Sequence, residues 1–416
     1  MKKLIISIFW LLSVIGAIIW TFENPEKIEK IKDYSKKNKN IKIEKSDNET
    51  EVFEANAFSV KIKKVIDIKE KTAFLIYPNQ NSNFEEKKLK IFTQNGFVIS
   101  DLKPQKLNLP NYFTLQRNGG VKTIITIDKH TIALISGEEN GCYFASLILT
   151  ENGKELLKTD CLPEEASNND FNGIGSSNIH LKEFIYFALG TPEKHVSKNS
   201  LLAQNIDSLF GKILKVSKKD LLDTINNNIK LKTYVFTKGH RVPQGLTKIN
   251  EVIFNVEHGP KGGDKLNRVE ENANYGWPIV SYGTNYLKDN GGDGKSFPFN
   301  HELNNFEEPL FAFVPSIGIS SVNNCPKVLK NYYKKNCLIA LSLYGNNLRK
   351  GNSLIIFLLN NDLNKIDSFE IIKLNDLILR HFTTNSLNEL YEDLEGNIYV
   401  SADKRGIYKV TFDNFR

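Results

Sequence analysis

Three short motifs lie close together between residues 238 and 286 and carry residue types that could do chemistry. The first, residues 239–246, reads Gly-His-Arg-Val-Pro-Gln-Gly-Leu and contains Arg241. An arginine guanidinium is planar, permanently charged and forked, so Arg241 is suited to bind a carboxylate or a developing oxyanion. The third motif, residues 274–278, reads Asn-Tyr-Gly-Trp-Pro and predicts a rigid aromatic corner.

The second motif, residues 257–264, reads Glu-His-Gly-Pro-Lys-Gly-Gly-Asp and could bind a metal ion. In a loop, the carbonyl groups of Gly259 and Pro260 would be free of strand pairing and would suit a hard cation such as calcium. The paired glycines that follow allow close backbone approaches, and Asp264 adds a carboxylate. Taken singly, each motif also has an ordinary structural interpretation, because Gly and Pro clusters form turns.

Together the three motifs resemble the glucose/sorbosone dehydrogenase family of soluble quinoprotein sugar dehydrogenases. Residues 281–283, Ser-Tyr-Gly, extend the match, and residues 209–216 resemble a Gly-Lys-Ile-Leu-Arg-Ile strand of that family. The resemblance is clear over residues 203–321, is weaker towards the C-terminus and fades before residue 201. It implies a six-bladed β-propeller that uses pyrroloquinoline quinone (PQQ) and calcium to oxidise an aldose sugar.

The resemblance also implies a role for individual residues. Arg241 matches the arginine that lies over the quinone beside the reacting carbon, which makes it the predicted catalytic and cofactor-binding residue. Gly259 and Pro260 match the carbonyl groups that bind calcium. Asp264 matches the acidic residue after the paired glycines and is predicted to belong to the metal site.

Several positions depart from the family pattern. Residues 170–179 contain no histidine where the family has its general base, and residues 385–390 contain no arginine where the family has cofactor-binding arginines. Lys265 replaces a glutamate, which argues against a second, structural calcium. The family's cofactor-binding lysine falls near Tyr344, and Arg349 and Lys350 follow closely as substitutes for it, of which we expect Arg349 to bind the cofactor.

The elements that must position these motifs are mostly strands. From residue 57 onward, runs of five to nine residues rich in Ile, Val, Phe and Tyr alternate with Asn, Gly and Asp turns. This pattern is typical of a propeller, a β-helix or tandem sandwiches. With the resemblance, it predicts an all-β, six-bladed β-propeller over residues 56–416. Short helices are expected only at residues 218–226 and 328–334.

The N-terminus predicts a membrane anchor over residues 1–22. Lys2 and Lys3 precede an uncharged apolar run, residues 4–22, which as a helix would span about 28 Å, close to the thickness of a bilayer core. Bulky residues such as Trp20 stand where signal peptidase prefers small ones, so we favour a single-pass anchor over a cleaved signal. The flanking lysines place the rest of the chain in the periplasm.

Residues 23–55 are rich in Lys, Glu, Asn and Asp and predict a charged, flexible tether. The whole chain carries 55 Lys and Arg against 48 Asp and Glu, a net charge of +7. This excess is mild for 416 residues and forms no Arg-rich stripe, so we expect no nucleic-acid partner.

The four cysteines form two local pairs. A hairpin folded about Asn152 and Gly153 would bring Cys142 and Cys161 within bridging distance. Cys325 and Cys337 flank a short polar connection. Two disulfides are therefore expected in an oxidising compartment, with four buried thiols as the alternative.

Two functions are consistent with the sequence. The first is a PQQ-dependent aldose dehydrogenase, anchored in the inner membrane with its catalytic domain in the periplasm. The second is a catalytically degenerate propeller that binds carbohydrate or protein. The retained Arg241 and Gly259-Pro260 loops favour the enzyme, whereas the missing histidine and arginines favour the binding module.

Overall fold

A computed structural model describes the chain from residue 43 to residue 416 with short gaps. The gaps are residues 46–49, 80, 164–169, 176, 193–196, 287–292, 298–299, 303–304 and 344–351. The predicted anchor (residues 1–22) and Arg349 therefore lie outside the described residues. None of the described helices is both long and apolar enough to cross a membrane.

The described residues form six sheets arranged as the blades of a propeller, which confirms the predicted fold. In five of the six blades, four consecutive antiparallel strands run outward from the central channel. The first blade contains β4 (Thr72–Ile76), β5 (Lys90–Thr93), β6 (Phe97–Ser100) and β7 (Lys103–Lys106). The second contains β8 (Val121–Ile127), β9 (His130–Glu139), β10 (Cys142–Leu149) and β11 (Lys154–Lys158).

The next three blades repeat this order. The third contains β12 (Asn178–Leu181), β13 (Phe184–Leu189), β14 (Lys212–Ser217) and β15 (Tyr234–Lys238). The fourth contains β16 (Val242–Ile249), β17 (Val252–His258), β18 (Asp264–Val269) and β19 (Phe311–Phe313). The fifth contains β20 (Ile319–Asn324), β21 (Asn336–Ser342), β22 (Ser353–Leu359) and β23 (Ile366–Lys373).

The sixth blade closes the ring by joining both ends of the described chain. It contains β24 (Leu379–Phe382), β25 (Ile398–Ala402) and β26 (Gly406–Asp413), followed on the outside by β3 (Ser59–Ile68). The pairing of β26 with β3 sets Phe412 opposite Val60. Two further strands, β1 (Ile43–Lys45) and β2 (Thr50–Glu54), pair with β3. The folded unit thus begins at Ile43, inside the interval predicted as a tether.

The innermost strands of neighbouring blades contact one another around the channel. Gly245 of β16 shows how closely they pack, since a Cβ atom there would lie 2.8 Å from the Val322 amide nitrogen of β20. Real Cβ atoms do not approach backbone this closely, so only glycine fits. Larger apolar side chains fill the layers between blades; Phe254 and Phe357 are fully buried in one such layer. Each contributes about 1.5–3 kcal/mol by leaving water.

Among the described residues, three short helices lie in the connections, at Lys198–Leu201, Lys218–Asn227 and Lys327–Tyr333. The second and third confirm the two predicted helices. Ser217 caps the second helix by accepting a hydrogen bond from the Asp220 amide. In the described part of the chain, two 3-10 turns precede innermost strands: Gln116–Asn118 lies before β8 and Phe171–Ile174 before β12.

Both predicted disulfides are present. Cys142 is bonded to Cys161 with a Cα–Cα distance of 5.4 Å, and Cys325 is bonded to Cys337 at 5.5 Å. The first closes the hairpin of β10 and β11, as its Asn-Gly turn predicts. The second joins β21 to the residue that follows β20. Each disulfide therefore links two segments of a single blade.

Reduction of the disulfides should lower the melting temperature. The bridges close loops with sequence separations of 19 and 12 residues, and each constraint on the unfolded chain is worth roughly 3 kcal/mol. Calorimetry with and without a thiol reductant measures the shift, and thiol titration of the unfolded protein counts the bridges. Four titratable thiols before any reductant is added would contradict the pairing.

Candidate active site

The motif loops meet at one end of the channel, which we call the mouth. Successive strands of a blade run in opposite directions, so the innermost strands all begin at the same end of the ring. The turns between the second and third strands lie at that end too. Arg241 directly precedes β16, and the loop from Gly259 to Gly263 joins β17 to β18, so both lie at the mouth.

Arg241 is buried and points at the second motif. Its Nη1 atom donates a hydrogen bond to the Gly259 carbonyl at 2.8 Å, and its guanidinium carbon lies 5.2 Å from the centre of the Trp277 ring. Its own carbonyl accepts a hydrogen bond from the Thr191 amide at 2.8 Å. The three motifs are thus in direct contact through one side chain, which holds a fixed positive charge at the mouth.

Asp264 holds the second motif in place. Its carboxylate accepts five hydrogen bonds, from the Gly259 amide, the Ser316 hydroxyl and the amides of residues 317–319, at 2.6–3.2 Å. A fully buried carboxylate needs this many donors to offset its desolvation. The contacts join the loop after β17 to the segment that leads into β20. Gly263, with φ of 74°, lets the chain turn tightly enough to reach this position.

Glu257 joins the first and second motifs beneath the mouth. Its carboxylate contacts His240 Nδ1 at 3.2 Å and forms an ion pair with Lys265 at 2.8 Å, and none of the three side chains is exposed to a significant extent. The His240 ring also contacts the Thr237 hydroxyl and stacks on Tyr275. Burial alone would raise the pKa of Glu257, but the Lys265 ammonium and His240 outweigh it and hold the pKa far below its usual range.

The same lysine explains one departure from the family pattern. Lys265 Nζ also donates to the Tyr275 carbonyl at 3.3 Å, so the ammonium lies between a carboxylate and a carbonyl oxygen. These are oxygen ligands of the kind that calcium prefers. Because the ammonium already supplies a positive charge here, this pair of oxygens does not need a second cation.

A β-bulge recurs where the innermost strands enter the mouth. In five of the six blades, the innermost strand has one extra residue relative to its neighbour, and the register shifts at that point. Bulges re-aim side chains and are over-represented beside active sites. The bulged residues are Ala73, Lys122, Gln244, Ser320 and Arg380.

Two of these bulged residues add positive charge to the mouth. Arg380 Nε binds Asp403 at 2.7 Å, and Lys122 Nζ donates to the Asn118 carbonyl at 2.5 Å. Arg380 is close enough to lower the pKa of Lys122. Sequence reasoning missed both residues because the bulged positions share no residue type, and the bulge itself is visible only as a repeated position in the strands.

Residues 385–390 lie at the other end of the channel. Lys248 Nζ contacts Glu389 at 3.1 Å, and the Asn388 amide donates to the Asn178 carbonyl. Thr126 donates to the Ser386 carbonyl. The segment therefore crosses from the sixth blade to three others and narrows that end. Its distance from the mouth explains why it carries no cofactor-binding arginine, whereas Arg380, a few residues upstream, lies at the mouth.

The stretch that lacks the family's histidine also borders the mouth. Asp170 caps the 3-10 turn at Phe171–Ile174 and accepts a hydrogen bond from the Asn118 side chain at 3.0 Å. His180, the nearest histidine in sequence, is buried on β12, and burial lowers its pKa to about 4. The charges of Lys248 and Glu389 also act on the pKa of His180, so this side chain lies towards the end of the channel away from the mouth.

Comparison with known proteins places this geometry in a family. The profile described as Glucose / Sorbosone dehydrogenase matches residues 130–358, which is more than half of the chain. The chain belongs to the glucose/sorbosone dehydrogenase family. This assignment confirms the resemblance that the three motifs carry.

Individual relatives match in part. The aldose sugar dehydrogenase YliI of Escherichia coli is 29% identical over 130 residues, or 30% of this chain and 33% of that protein. The quinoprotein glucose dehydrogenase B of Acinetobacter calcoaceticus is 28% identical over 112 residues, or 26% of this chain and 23% of that protein. The chain thus aligns with no more than a third of the curated relatives' length.

Structural similarity extends further than sequence similarity. The apo crystal structure of the soluble aldose sugar dehydrogenase from Escherichia coli superposes with a TM-score of 0.61 at 18% identity. The superposition covers 85% of this chain and 99% of that one. At this identity, the likeness establishes the shared propeller fold.

The mouth fits the charge of the family's quinone cofactor. PQQ carries three carboxylates, and bidentate or charge-assisted hydrogen bonds from cations are the strong contacts for such groups. Arg241 and Arg380 supply two permanent positive charges at the mouth, with the indole of Trp277 beside the first, and Lys122 adds a third cationic group when it is protonated. Arg349, the substitute expected from the sequence, lies outside the described residues.

Two of the predicted calcium ligands, Gly259 and Asp264, already accept hydrogen bonds within the protein. The Gly259 carbonyl accepts its hydrogen bond from Arg241, and the Asp264 oxygens accept five others. Across the described part of the chain, no three His, Cys, Asp or Glu side chains are grouped to hold a metal ion. Calcium binding by Gly259, Pro260 and Asp264 stays a prediction, and the steps proposed below involve only residues of the chain.

Breaking the buried ion pair should destabilise the protein strongly. Glu257→Gln leaves the Lys265 ammonium buried without a counter-charge, which should cost about 3–5 kcal/mol of unfolding free energy. The double variant Glu257→Gln/Lys265→Met should recover most of that loss, because neither charge remains. Urea unfolding of the four members of the cycle measures the coupling.

The exposed pair Lys182–Glu251 provides a matched control. Glu251→Gln should change the unfolding free energy by less than about 1 kcal/mol, since water screens surface pairs. A Glu257→Gln variant no less stable than this control would show that the buried pair does not hold the motif loops together.

Proposed function

We propose that this protein is a PQQ-dependent oxidoreductase that oxidises the anomeric hydroxyl of an aldose sugar. The observation that carries the proposal is the convergence of Arg241 with Lys122 and Arg380 at one mouth of the propeller. Membership of the glucose/sorbosone dehydrogenase family supports the same reaction class. When bound, PQQ would accept the hydride from C1 of the sugar, which carries both electrons of the oxidation.

In this proposal, Arg241 orients the reacting groups. Its guanidinium is fixed by the Gly259 carbonyl and by the Trp277 face, so it cannot swing into solvent. A fixed, buried cation stabilises negative charge that develops on a reacting oxygen, and it pays no reorganisation cost during the reaction. Removing one such donor typically lowers the rate by about 10²- to 10³-fold.

Arg380 binds a carboxylate of the cofactor in this scheme. It lies on an innermost strand and is positioned by the bulge of that strand. Asp403 orients Arg380 through its 2.7 Å ion pair. At the end of the channel opposite the mouth, residues 385–390 contact Lys248, and this contact limits the entry of water into the channel.

We further propose that the domain is exported and anchored at the inner membrane, facing the periplasm. The apolar run of residues 4–22 behind Lys2 and Lys3 supports a single-pass anchor. The two disulfides support an oxidising compartment, because thiols in the cytosol stay reduced. The net charge of +7 is modest for a chain of 416 residues, so we propose no nucleic-acid partner.

Reconstitution tests the enzymatic function. The purified full-length protein should bind PQQ in an absorbance titration and reduce a dye in the presence of at least one aldose from a panel. Arg380→Met should weaken PQQ binding about tenfold or more, because it removes a charge-assisted contact. Arg416→Met, which removes an exposed arginine on the outside of the sixth blade, should bind PQQ as the unmodified protein does.

Other results would favour the second function. A protein that binds no PQQ and oxidises no aldose would support the binding-module alternative. Full activity in Arg241→Ala would contradict the role of that guanidinium, because no other described side chain makes its contact with the Gly259 carbonyl.

Fractionation tests the proposed location. The full-length protein should remain with the inner membrane after washing with high salt, and protease added to spheroplasts should degrade its propeller. Deletion of residues 2–22 should leave the protein in the cytoplasm. Recovery of the full-length protein in the soluble periplasm with a trimmed N-terminus would instead demonstrate a cleaved signal.

A further inference from the structure

Lys122 occupies an unusual place for a lysine. It is the bulged residue of β8, it is only 8% exposed, and its Nζ atom donates to the Asn118 carbonyl at 2.5 Å. The Asn118 side chain in turn donates to Asp170 at 3.0 Å. Asp170 belongs to the stretch that, by its resemblance to the family, would carry the general base. The ammonium of Lys122 therefore lies beside the place where the histidine is missing.

Charged groups face Lys122 from three sides. Asp170 lies on the 3-10 turn beside it, Arg380 on the bulge of β24, and Lys71 just before β4. Burial lowers the pKa of Lys122 most, Arg380 and Lys71 lower it further, and Asp170 opposes them, which leaves a pKa of about 7. At neutral pH, a large part of the Lys122 side chains is therefore uncharged amine.

An uncharged amine in this position can accept a proton. It keeps two N–H groups, of which one is bonded to the Asn118 carbonyl, and it has a free lone pair. When an aldose is oxidised to its lactone, C1 loses a hydride with its electron pair to the quinone, and the C1 hydroxyl loses a proton. Efficient transfer of that proton needs a positioned base with a pKa near the working pH.

We propose that Lys122 is the catalytic base that accepts the proton from the C1 hydroxyl of the sugar. The O–H bond breaks, its electron pair stays on oxygen to form the lactone carbonyl, and the proton forms the third N–H bond of the Lys122 ammonium. This proposal rests on the proposed function. The amine form of Lys122 does this chemistry, and the ammonium form is its product.

Three variants distinguish proton acceptance by Lys122 from the effect of its positive charge. Lys122→Arg keeps the positive charge but cannot accept a proton near neutral pH, so kcat should fall about 10²- to 10⁴-fold while PQQ binding is retained. Lys122→Met removes both properties and should lose activity with weaker PQQ binding. Lys129→Arg, on the exposed turn at the other end of β8, is the matched control and should behave as the unmodified protein does.

The pH profile supplies a readout that a structural role would not move. In the unmodified protein, kcat should rise with pH through an apparent pKa of about 7, because the amine form increases. In Lys122→Ala, added ethylamine should restore activity in proportion to its unprotonated fraction. Lys122→Arg with unchanged kcat, or a profile whose acid limb is the same in Lys122→Met, would overturn the proposal.

A measurement without catalysis distinguishes this proposal from the proposed function. Competitive labelling of the full-length protein with acetic anhydride, followed by mass spectrometry, should give a reactivity midpoint near pH 7 for Lys122. A midpoint near the ordinary lysine value of 10.5 would overturn the proposal even if the protein oxidises sugars. An unmodified protein that oxidises no aldose would instead overturn the proposed function, and the base assignment with it.

Discussion

The mouth of this propeller depends on one buried carboxylate. Glu257 lies at the end of β17, contacts His240 in the turn before β16 and pairs with Lys265 at the start of β18. These contacts fix the backbone on either side of Arg241 and Gly259, so that the guanidinium meets the carbonyl at 2.8 Å. A buried charge that has lost its partner is costly, so Glu257 is stable here only while the Lys265 ammonium is present. The motif residues that could do chemistry are therefore held by a neighbouring set of residues that does none.

Much of the fold was predictable from the sequence because it rests on local rules. Alternating β-branched and aromatic residues define the strands, and the Asn-Gly turn at residues 152–153 predicts the hairpin that brings Cys142 to Cys161. The convergence of Arg241 with Gly259 was predictable only through the family motifs, since the two residues are separated by a whole hairpin. Spacing alone does not indicate which turns meet in space.

The remaining features depend on register, which single-sequence reasoning does not reveal. A bulge shifts the pairing by one residue and changes the direction of a side chain, yet it leaves no fixed residue type behind. From the sequence alone, Lys122 and Arg380 cannot be told from ordinary strand residues, because the bulges appear only in the strand pairing. The segments β1 and β2 were missed for a different reason, because their charged composition is typical of a solvated tether although their backbone pairs with β3.

The sixth blade has a consequence for biosynthesis. Its three inner strands come from the end of the chain, and the strand that pairs with them, β3, comes from the beginning. A ribosome that has made only five blades holds a sheet edge on β3 that has no partner, and such edges are sites of unwanted association. Ring closure must therefore wait until β26 has left the exit tunnel, and for an exported chain it must wait until β26 has crossed the translocon. Chaperones that cover the unpaired strand during that interval would protect the domain from association until it has folded.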